Sequence, residues 1–446
     1  MSSYEPSRAE REIERLLGIY PRGFDLSLDR IRRLLGDLGR PQDRMPPVIH
    51  VAGTNGKGSS TAFSRALLEA AGLSVHVHTS PHLVRWHERY RLGVKGGAGR
   101  LVDDERLLDA VLRAEKANNG QPITVFELLT AVIFILFSET PADAAIIEVG
   151  LGGMYDATNL IEQPAVSLIM PVALDHQGWL GNTIEEIAAA KAGIIKRRCP
   201  VVIGRQDHDE ALDALVRASE RAGSQPQVYG QDYLAYEENG RLVYQDNDGL
   251  MDLPLPALHG RHQFANAAAA IRAVKSAGFS LSEDVVAAAM RQVQWPARLQ
   301  RLKNGALLAF APEGAEVWLD GGHNPHGGRA VAEAMVAFEE RDPRPLYLVT
   351  GMINTKDPKG YFEAFRGLAR HVHTVPIRNS DAGIDPAALA NDALEVGLDA
   401  TPMTSAVEAL AEIREMASDE PPPRILIGGS LYFAGNILEE NGTLPE

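Results

Sequence analysis

The 446-residue sequence predicts an α/β protein: a doubly wound, mostly parallel sheet carrying a phosphate loop, followed by a smaller C-terminal α/β domain. Three observations predict it. Short β-branched runs alternate with helical patterns from residue 48 to residue 222. Glycine-rich segments follow predicted strands at 53–59 and 150–153, where open parallel sheets bind their ligands. A new series of strands and helices begins after Trp295-Pro296. A chain of this length exceeds one ordinary core, and the boundary is placed there, giving domains 1–296 and 297–446.

Composition narrows the class. Apolar content of 45% and charged content of 23% are those of a globular protein. With 44 basic and 59 acidic residues the formal charge is −15, which disfavours nucleic acid and anionic membranes as partners. An anionic ligand must then be held by local basic groups and metal. Cys199 is the only cysteine, so no intramolecular disulfide forms, as suits a reducing compartment. The first residues are charged and lack a signal-peptide pattern. The longest nearly unbroken apolar run, 128–137, is half the length of about 20 residues that spans a bilayer. It is expected to be a buried helix, and the protein to be cytoplasmic.

Two short amphipathic helices are predicted at 7–17 and 28–38. The run Val48-Ile-His-Val51 reads as a buried strand, and 60–71 as a helix stopped by Gly72. Between them lies Gly53-Thr54-Asn55-Gly56-Lys57-Gly58-Ser59. Strand, glycine loop and helix make a phosphate cradle: backbone N–H groups converge on anionic oxygens, the helix start adds partial positive charge, and Lys57 reaches a terminal phosphate. Here the hydroxyl residue follows Gly58 and not the lysine, so the seven-residue form carries the signal.

A strand at 74–78 runs into Thr79-Ser80-Pro81-His82, and glycine-rich 93–99 reads as a mobile loop. Helices follow from near Asp103 to 118 and at 126–138, then a strand at 144–149 and the loop 150–159. The strand at 166–170 ends in Ala173-Leu174-Asp175-His176, and Thr183 with Glu186 caps a helix carrying Lys191. A strand at 201–204 and a helix at 209–222 close the series, so the loops at 53–59, 79–82, 148–159 and 173–176 should share one crevice. A β-ribbon is expected within 226–258 and a helix at 262–277. The second domain reads as strand 317–320, helix 326–339, strand 346–350, helix 358–370, strand 372–376, helices near 385–396 and 404–416, and strand 424–427. Residues 418–423 read as a rigid spacer.

Several residues have two uses open to them. Glu148, at a buried strand end, is either a paired structural carboxylate or a cation ligand. Ser80 is a turn residue before Pro81 or a neutral metal ligand, and His176 a satisfied polar side chain or a ligand. Lys191 by pattern is a helix-face lysine. Asn266 is a helix cap or a reader of an adenine edge. Arg298 and Asp320-Gly-Gly-His323 are an ordinary salt-bridged junction or a phosphate clamp.

Taken together, the motifs resemble the folylpolyglutamate synthase and dihydrofolate synthase family of the Mur ligase superfamily. They are the 53–59 loop, Ser80-Pro-His, Glu148-Val-Gly-Leu-Gly-Gly with Asp156-Ala-Thr-Asn, Leu174-Asp-His, Lys191-Ala-Gly-Ile and Asp320-Gly-Gly-His-Asn-Pro-His, in family order over nearly the whole chain. The resemblance implies an ATP-dependent ligase that activates a pteroate or folate carboxylate as an acyl phosphate and joins it to L-glutamate, with a Rossmann-like C-terminal glutamate ligase domain. It implies ATP contacts from Gly53, Thr54, Asn55, Gly56, Lys57, Gly58, Ser59, Asn266, Arg298 and Asp320, with His323 close to the same nucleotide. Lys57, Lys191 and His323 become the catalytic candidates. Ser80, Glu148 and His176 would ligate Mg²⁺, leaving open one ion or two and a monovalent cation beside them. Lys191 aligns with the family's carbamylated lysine (N6-carboxylysine). The pterin would meet Gly23, Phe24, Asp25, Thr124, Val125, Phe126, Glu127, Tyr155, Asp156 and Ala157. A monomer handling dihydropteroate or a reduced folate is implied.

Met154 stands where relatives usually have arginine, His176-Gln-Gly replaces a more usual His-Thr-Asp, and Ala297 replaces a glycine, which points to a shifted substrate preference. A peptidoglycan-precursor ligase of the same superfamily is a rival, but those enzymes carry a domain of about a hundred residues ahead of the loop, against 52 residues here. A regulatory nucleotide binder would not need Glu148, His176 and Lys191.

Overall fold

The computed structural model describes residues 4–21, 27–378, 380–419 and 421–446. They form two compact units, one of Glu5–Ala257 with Phe264–Val293, the other of Leu258–Gln263 with Gln294–Pro445.

The larger unit is built on an eight-stranded sheet. Its strands are β1 (Val48–Ala52), β2 (Val75–His78), β3 (Tyr90–Val94), β4 (Gly97–Leu101), β5 (Ala144–Glu148), β6 (Val166–Ile169), β7 (Val201–Ile203) and β8 (Pro226–Val228). They lie in the order β4-β3-β2-β5-β1-β6-β7-β8. From β2 to β8 every pair is parallel, while β3 and β4 add an antiparallel edge. Burial on both faces explains why β1, β5 and β6 are mostly apolar and buried at every position, with His50, Glu148 and Ser167 as their polar members. The apolar stretch 128–137 lies buried within the helix Val125–Glu139, and among the described residues no helix is long and apolar enough to cross a membrane. Strands β9 (Tyr233–Glu238), β10 (Arg241–Asp246) and β11 (Gly249–Pro254) form the expected antiparallel ribbon.

The smaller unit holds β12 (Gln300–Leu302), β13 (Glu316–Leu319), β14 (Leu346–Thr350), β15 (Ala369–Thr374), β16 (Ala400–Pro402) and β17 (Arg424–Gly428) in the order β12-β13-β17-β14-β15-β16. All neighbours are parallel except β12 with β13. Its core gathers Leu348, Leu426, Phe362, Phe365 and Met335.

Three expectations are corrected. Residues 93–99 are not a mobile loop but the tip of the β3–β4 hairpin. Gly93 is there for close approach, since a Cβ on it would lie 2.5 Å from the Val75 nitrogen. The helix after the phosphate loop begins at Lys57, not at residue 60, because Gly56 takes a left-handed φ of 80° and starts it. The helix expected at 358–370 is only Pro358–Glu363. Phe365 and Arg366 bond back three residues, and Gly367 turns at φ 74° to feed β15. The expected spacer joins the helix Ala406–Met416 to β17 within one unit, and Ser418, Asp419, Pro421 and Pro422 are exposed. The helices Glu283–Gln292 and Leu431–Asn441 and strands β12 and β16 are additional to the predicted elements.

Candidate active site

In the larger unit the predicted loops meet at one edge because their strands are neighbours and parallel. The phosphate loop leaves β1, Glu148 ends β5 on one side of it, and residues 170–176 leave β6 on the other. Ser80 lies two residues beyond β2, the next strand past β5. Adjacent strands are about 4.8 Å apart, so these groups span one crevice.

The loop itself is held from beneath. Thr54 donates its N–H to the Pro171 carbonyl at 2.8 Å and its hydroxyl to the Ala173 carbonyl at 3.1 Å. Thr54 therefore clamps the loop to the β6 segment. Gly53 cannot be replaced cheaply, since a Cβ there would come within 2.6 Å of the Met170 side chain. The first turn from Lys57 presents its N–H groups at the sheet edge, as an anion site requires. Asn266, buried in the helix His262–Ser276, sets its Oδ1 against Gly56, 2.8 Å from where a Cβ would stand. The loop and Asn266 are thus together.

Two lysines converge on one carbonyl. Lys57 Nζ donates to the Gly53 oxygen at 3.1 Å and to the Thr54 oxygen at 3.3 Å. Lys191 Nζ donates to the same Gly53 oxygen at 2.9 Å. Lys191 ends the helix that the Thr183–Glu186 capping box begins, and it is 4% exposed. Burial first, and the charge of Lys57 second, push its amine down to about 7, against the pull of Asp175 and Asp156. A substantial share of the amine is therefore neutral, and nucleophilic, near neutral pH.

The metal candidates sit on this edge with different freedoms. Glu148 is 5% exposed. The Ser80 hydroxyl oxygen is shut off from solvent and makes no hydrogen bond, a cost that a cation would remove. His176 has a left-handed φ of 52° at the start of the short helix Gln177–Leu180, and its side chain is 45% exposed. Among the described residues no three His, Cys, Asp or Glu side chains gather to hold an ion by themselves. An ion here would draw on a hydroxyl, water and phosphate oxygens as well.

The pterin candidates divide. Gly23, Phe24 and Asp25 lie outside the described residues. Thr124 and Glu127 form a capping box, and Arg30 pairs with Glu127 at 3.0 Å, so these two polar groups hold a helix start. Val125 and Ala157 are buried. Phe126 and Asp156 are brought together across Gly150, whose Cβ would touch both, and Tyr155 is exposed. Asp156 accepts Leu151 N–H at 2.8 Å, Thr158 N–H at 3.0 Å and the Thr158 hydroxyl at 2.6 Å, which fixes the 150–156 loop.

Sequence reasoning overlooked His50. It lies buried in β1 and shares a 2.9 Å bond with Thr158 Oγ1, whose proton goes to Asp156. Nε2 is therefore the protonated nitrogen of a neutral ring, and burial pushes its pKa down to about 3. The one clue was a histidine inside a β-branched run. Asp175, which acts on Lys191, was likewise passed over.

In the smaller unit Asp320 follows β13 and accepts N–H bonds from Leu299 at 2.8 Å and Gly322 at 2.6 Å. Burial raises its pKa and Arg298 opposes that. Arg298 Nη1 donates to the Ala297 carbonyl, and His323 Nδ1 lies 2.9 Å from the Gly321 carbonyl. These three candidates are together.

Residues 51–274 match the Mur ligase middle domain and residues 298–431 the Mur ligase glutamate ligase domain. The folylpolyglutamate synthase of Lacticaseibacillus casei is 33% identical, over 92% of this chain and 93% of its own. The chain belongs to the Mur ligases, in the folylpolyglutamate and dihydrofolate synthase branch. Solved structures of this branch share the fold. A Mycobacterium tuberculosis folylpolyglutamate synthase complexed with ADP superposes with a TM-score of 0.86 at 30% identity, covering 98% of this chain and 99% of the other. Escherichia coli FolC in complex with DHPP and ADP gives 0.84 at 26% identity, covering 98% and 97%. The Mur ligase assignment thus rests on both units of the chain.

Proposed function

We propose that this chain is an ATP-dependent amide ligase that joins L-glutamate to dihydropteroate, to tetrahydrofolate and its polyglutamates, or to both classes in turn. The observation that carries the proposal is the pair of amines on the Gly53 carbonyl, at the mouth of a phosphate loop in a Mur ligase fold. In this reading the substrate carboxylate attacks the γ-phosphate, ADP leaves, and an acyl phosphate forms. The glutamate amine then displaces phosphate through a tetrahedral intermediate, losing a proton as the amide bond closes.

Such chemistry is positioning and charge neutralisation, and the residues can be assigned accordingly. Lys57 and the N–H groups of 53–59 hold phosphate oxygens, Asn266, Arg298 and Asp320 orient the nucleotide, and His323 serves the same ligand. Ser80, Glu148 and His176 would hold Mg²⁺, as one ion or two, and the orphaned Ser80 hydroxyl supports that assignment. The metal supplies neutralisation of phosphate charge. Lys191, in its neutral form, adds to carbon dioxide: an N–C bond forms, one proton leaves, and the neutral amine becomes a carbamate anion able to ligate metal. Phe126, Tyr155 and Asp156, with 23–25, are assigned to the pterin side. The two domains, 1–296 and 297–446, divide these tasks in a cytoplasmic monomer.

The test is phosphate release by the purified full chain with ATP, Mg²⁺ and L-glutamate. Release should require dihydropteroate or tetrahydrofolate and should be lost in Lys57→Ala. Release indifferent to every pterin substrate would overturn the reading.

A further inference from the structure

His50 is a buried polar side chain with no part in the chemistry proposed for the site. It stands third in β1, between β5 and β6 and three residues ahead of Gly53, and none of its surface is exposed. A ring in that position is costly unless a hydrogen bond matches it. Its Nδ1 has no partner among the described residues, so the 2.9 Å bond between Nε2 and Thr158 Oγ1 is the ring's one polar contact.

That contact decides where the next proton points. Thr158 is fully buried, and its hydroxyl has one proton on a rotor that is free in principle. With the Nε2–H donating into its oxygen, the proton is aimed at Asp156 Oδ1, 2.6 Å away. The same Oδ1 accepts the Thr158 N–H, and Oδ2 accepts the Leu151 N–H. The carboxylate therefore ties residue 151 to residue 158 and closes the loop between them. The donors run one way, from β1 into the loop, and each bond polarises the next. The tip of the loop is pinned as well. Met154 donates its N–H to the Ala190 carbonyl at 2.8 Å, and Asn159 Nδ2 donates to the Met154 carbonyl at 3.0 Å. Yet the side chains of Met154 and Tyr155 on this fixed backbone are exposed. Large apolar side chains open to solvent on a rigid support are a recognition surface.

We propose that His50 is a positioning residue for the pterin substrate: through Thr158 and Asp156 it holds the 150–158 loop in the conformation that receives the ring. The proposal rests on the ligase reading, in which Tyr155 and Asp156 serve the pterin side. One strand then serves both substrates, carrying the phosphate loop at its end and steadying the pterin loop from its middle. The experiment measures phosphate release by the full chain, varying the pterin at saturating ATP and then ATP at saturating pterin. His50→Leu and Thr158→Val each remove one link and keep a similar shape. His50→Gln places an amide N–H where the Nε2–H stood. Hydrogen exchange of peptides covering 150–158 gives a second readout that needs no substrate.

In His50→Leu and in Thr158→Val the KM for the pterin should rise by about tenfold, while the KM for ATP stays at its wild-type value. The double variant should be no worse than either single, because both break the same chain. His50→Gln should keep the wild-type KM for both substrates. Exchange in 150–158 should quicken in His50→Leu and not in His50→Gln. Damage to β1 alone would strike ATP first, since Gly53 lies three residues on. A pterin KM unchanged in His50→Leu, both KM values rising together, single effects that add, a His50→Gln as impaired as His50→Leu, or unchanged exchange would each overturn the proposal. Should His50→Leu not fold, Thr158→Val carries the same readings. A wild-type chain that no pterin stimulates would instead be the failure of the ligase reading.

Discussion

Glu148 at the end of β5 and Asp320 just past β13 are both 5% exposed, and each is followed within two residues by glycine. Their surroundings differ. Asp320 accepts N–H groups from its own unit's backbone, and the segment after it is tied by His323 to Gly321 and by Asn324 capping the next helix. The edge bearing Glu148 has an orphaned Ser80 hydroxyl and two amines crowded on one carbonyl. One acidic position builds a loop by hydrogen bonds. The other lies among groups arranged at a cost that only a ligand, a metal or a modification would remove. Strand-end acids in parallel sheets are thus read by what surrounds them.

The strongest way to break this comparison is Lys191→Ala. Activity should fall by about a hundredfold or more, the scale of losing a charge-stabilising group. The melting temperature should hold or rise, because the variant removes a buried amine pushed down to about 7. A short carboxylate added to the variant should restore part of the rate. Turnover measured beside a thermal melt checks both halves, and a wild-type rate in the variant would end the distinction between the edges.

Gly193→Ala comes next. Its Cβ would stand 2.6 Å from the Met154 backbone nitrogen, in the loop fixed by Asp156. Backbone must shift, so stability should drop by about 1–3 kcal/mol and turnover should fall with it, read by denaturant titration and assay. Asp320→Asn sharpens the comparison from the other side. It turns an acceptor toward a buried N–H into a donor, and should cost about 1–2 kcal/mol on chemical denaturation.

The smallest effect at neutral pH belongs to His50→Gln. The His50 pKa is lowered from an ordinary 6.5 to about 3. As pH falls through that window the unfolded chain takes up a proton that the folded chain refuses, so wild-type stability declines. The variant should show a shallower decline, by at most about 1.4 kcal/mol per pH unit, in denaturant titrations from pH 7 to pH 4. An unchanged slope would mean that the ring is protonated in the folded state.

What the sequence disclosed is mostly local. The phosphate loop, the Thr183–Glu186 box and the alternation of strand and helix each involve residues within a few positions of one another, so their geometry is written in spacing. Distant partnerships are different. His50 meets Thr158 across 108 residues and Lys191 meets Gly53 across 138, and no spacing rule connects them. The glycines at 93–99 were mistaken for mobility because glycine serves close packing as well as freedom, and only the neighbouring β2 decides which. Strands of three residues such as β12 and β16 exist through pairing and carry no periodicity of their own.

The most direct test of the ligase account is product analysis by mass spectrometry, with dihydropteroate and tetrahydrofolate offered separately to the full chain with ATP, Mg²⁺ and L-glutamate. The account predicts a product one glutamyl residue heavier from at least one of them, with one ADP and one phosphate formed for each amide bond. Turnover of ATP with both pterins recovered unchanged, or glutamylation that proceeds without ATP, would contradict it.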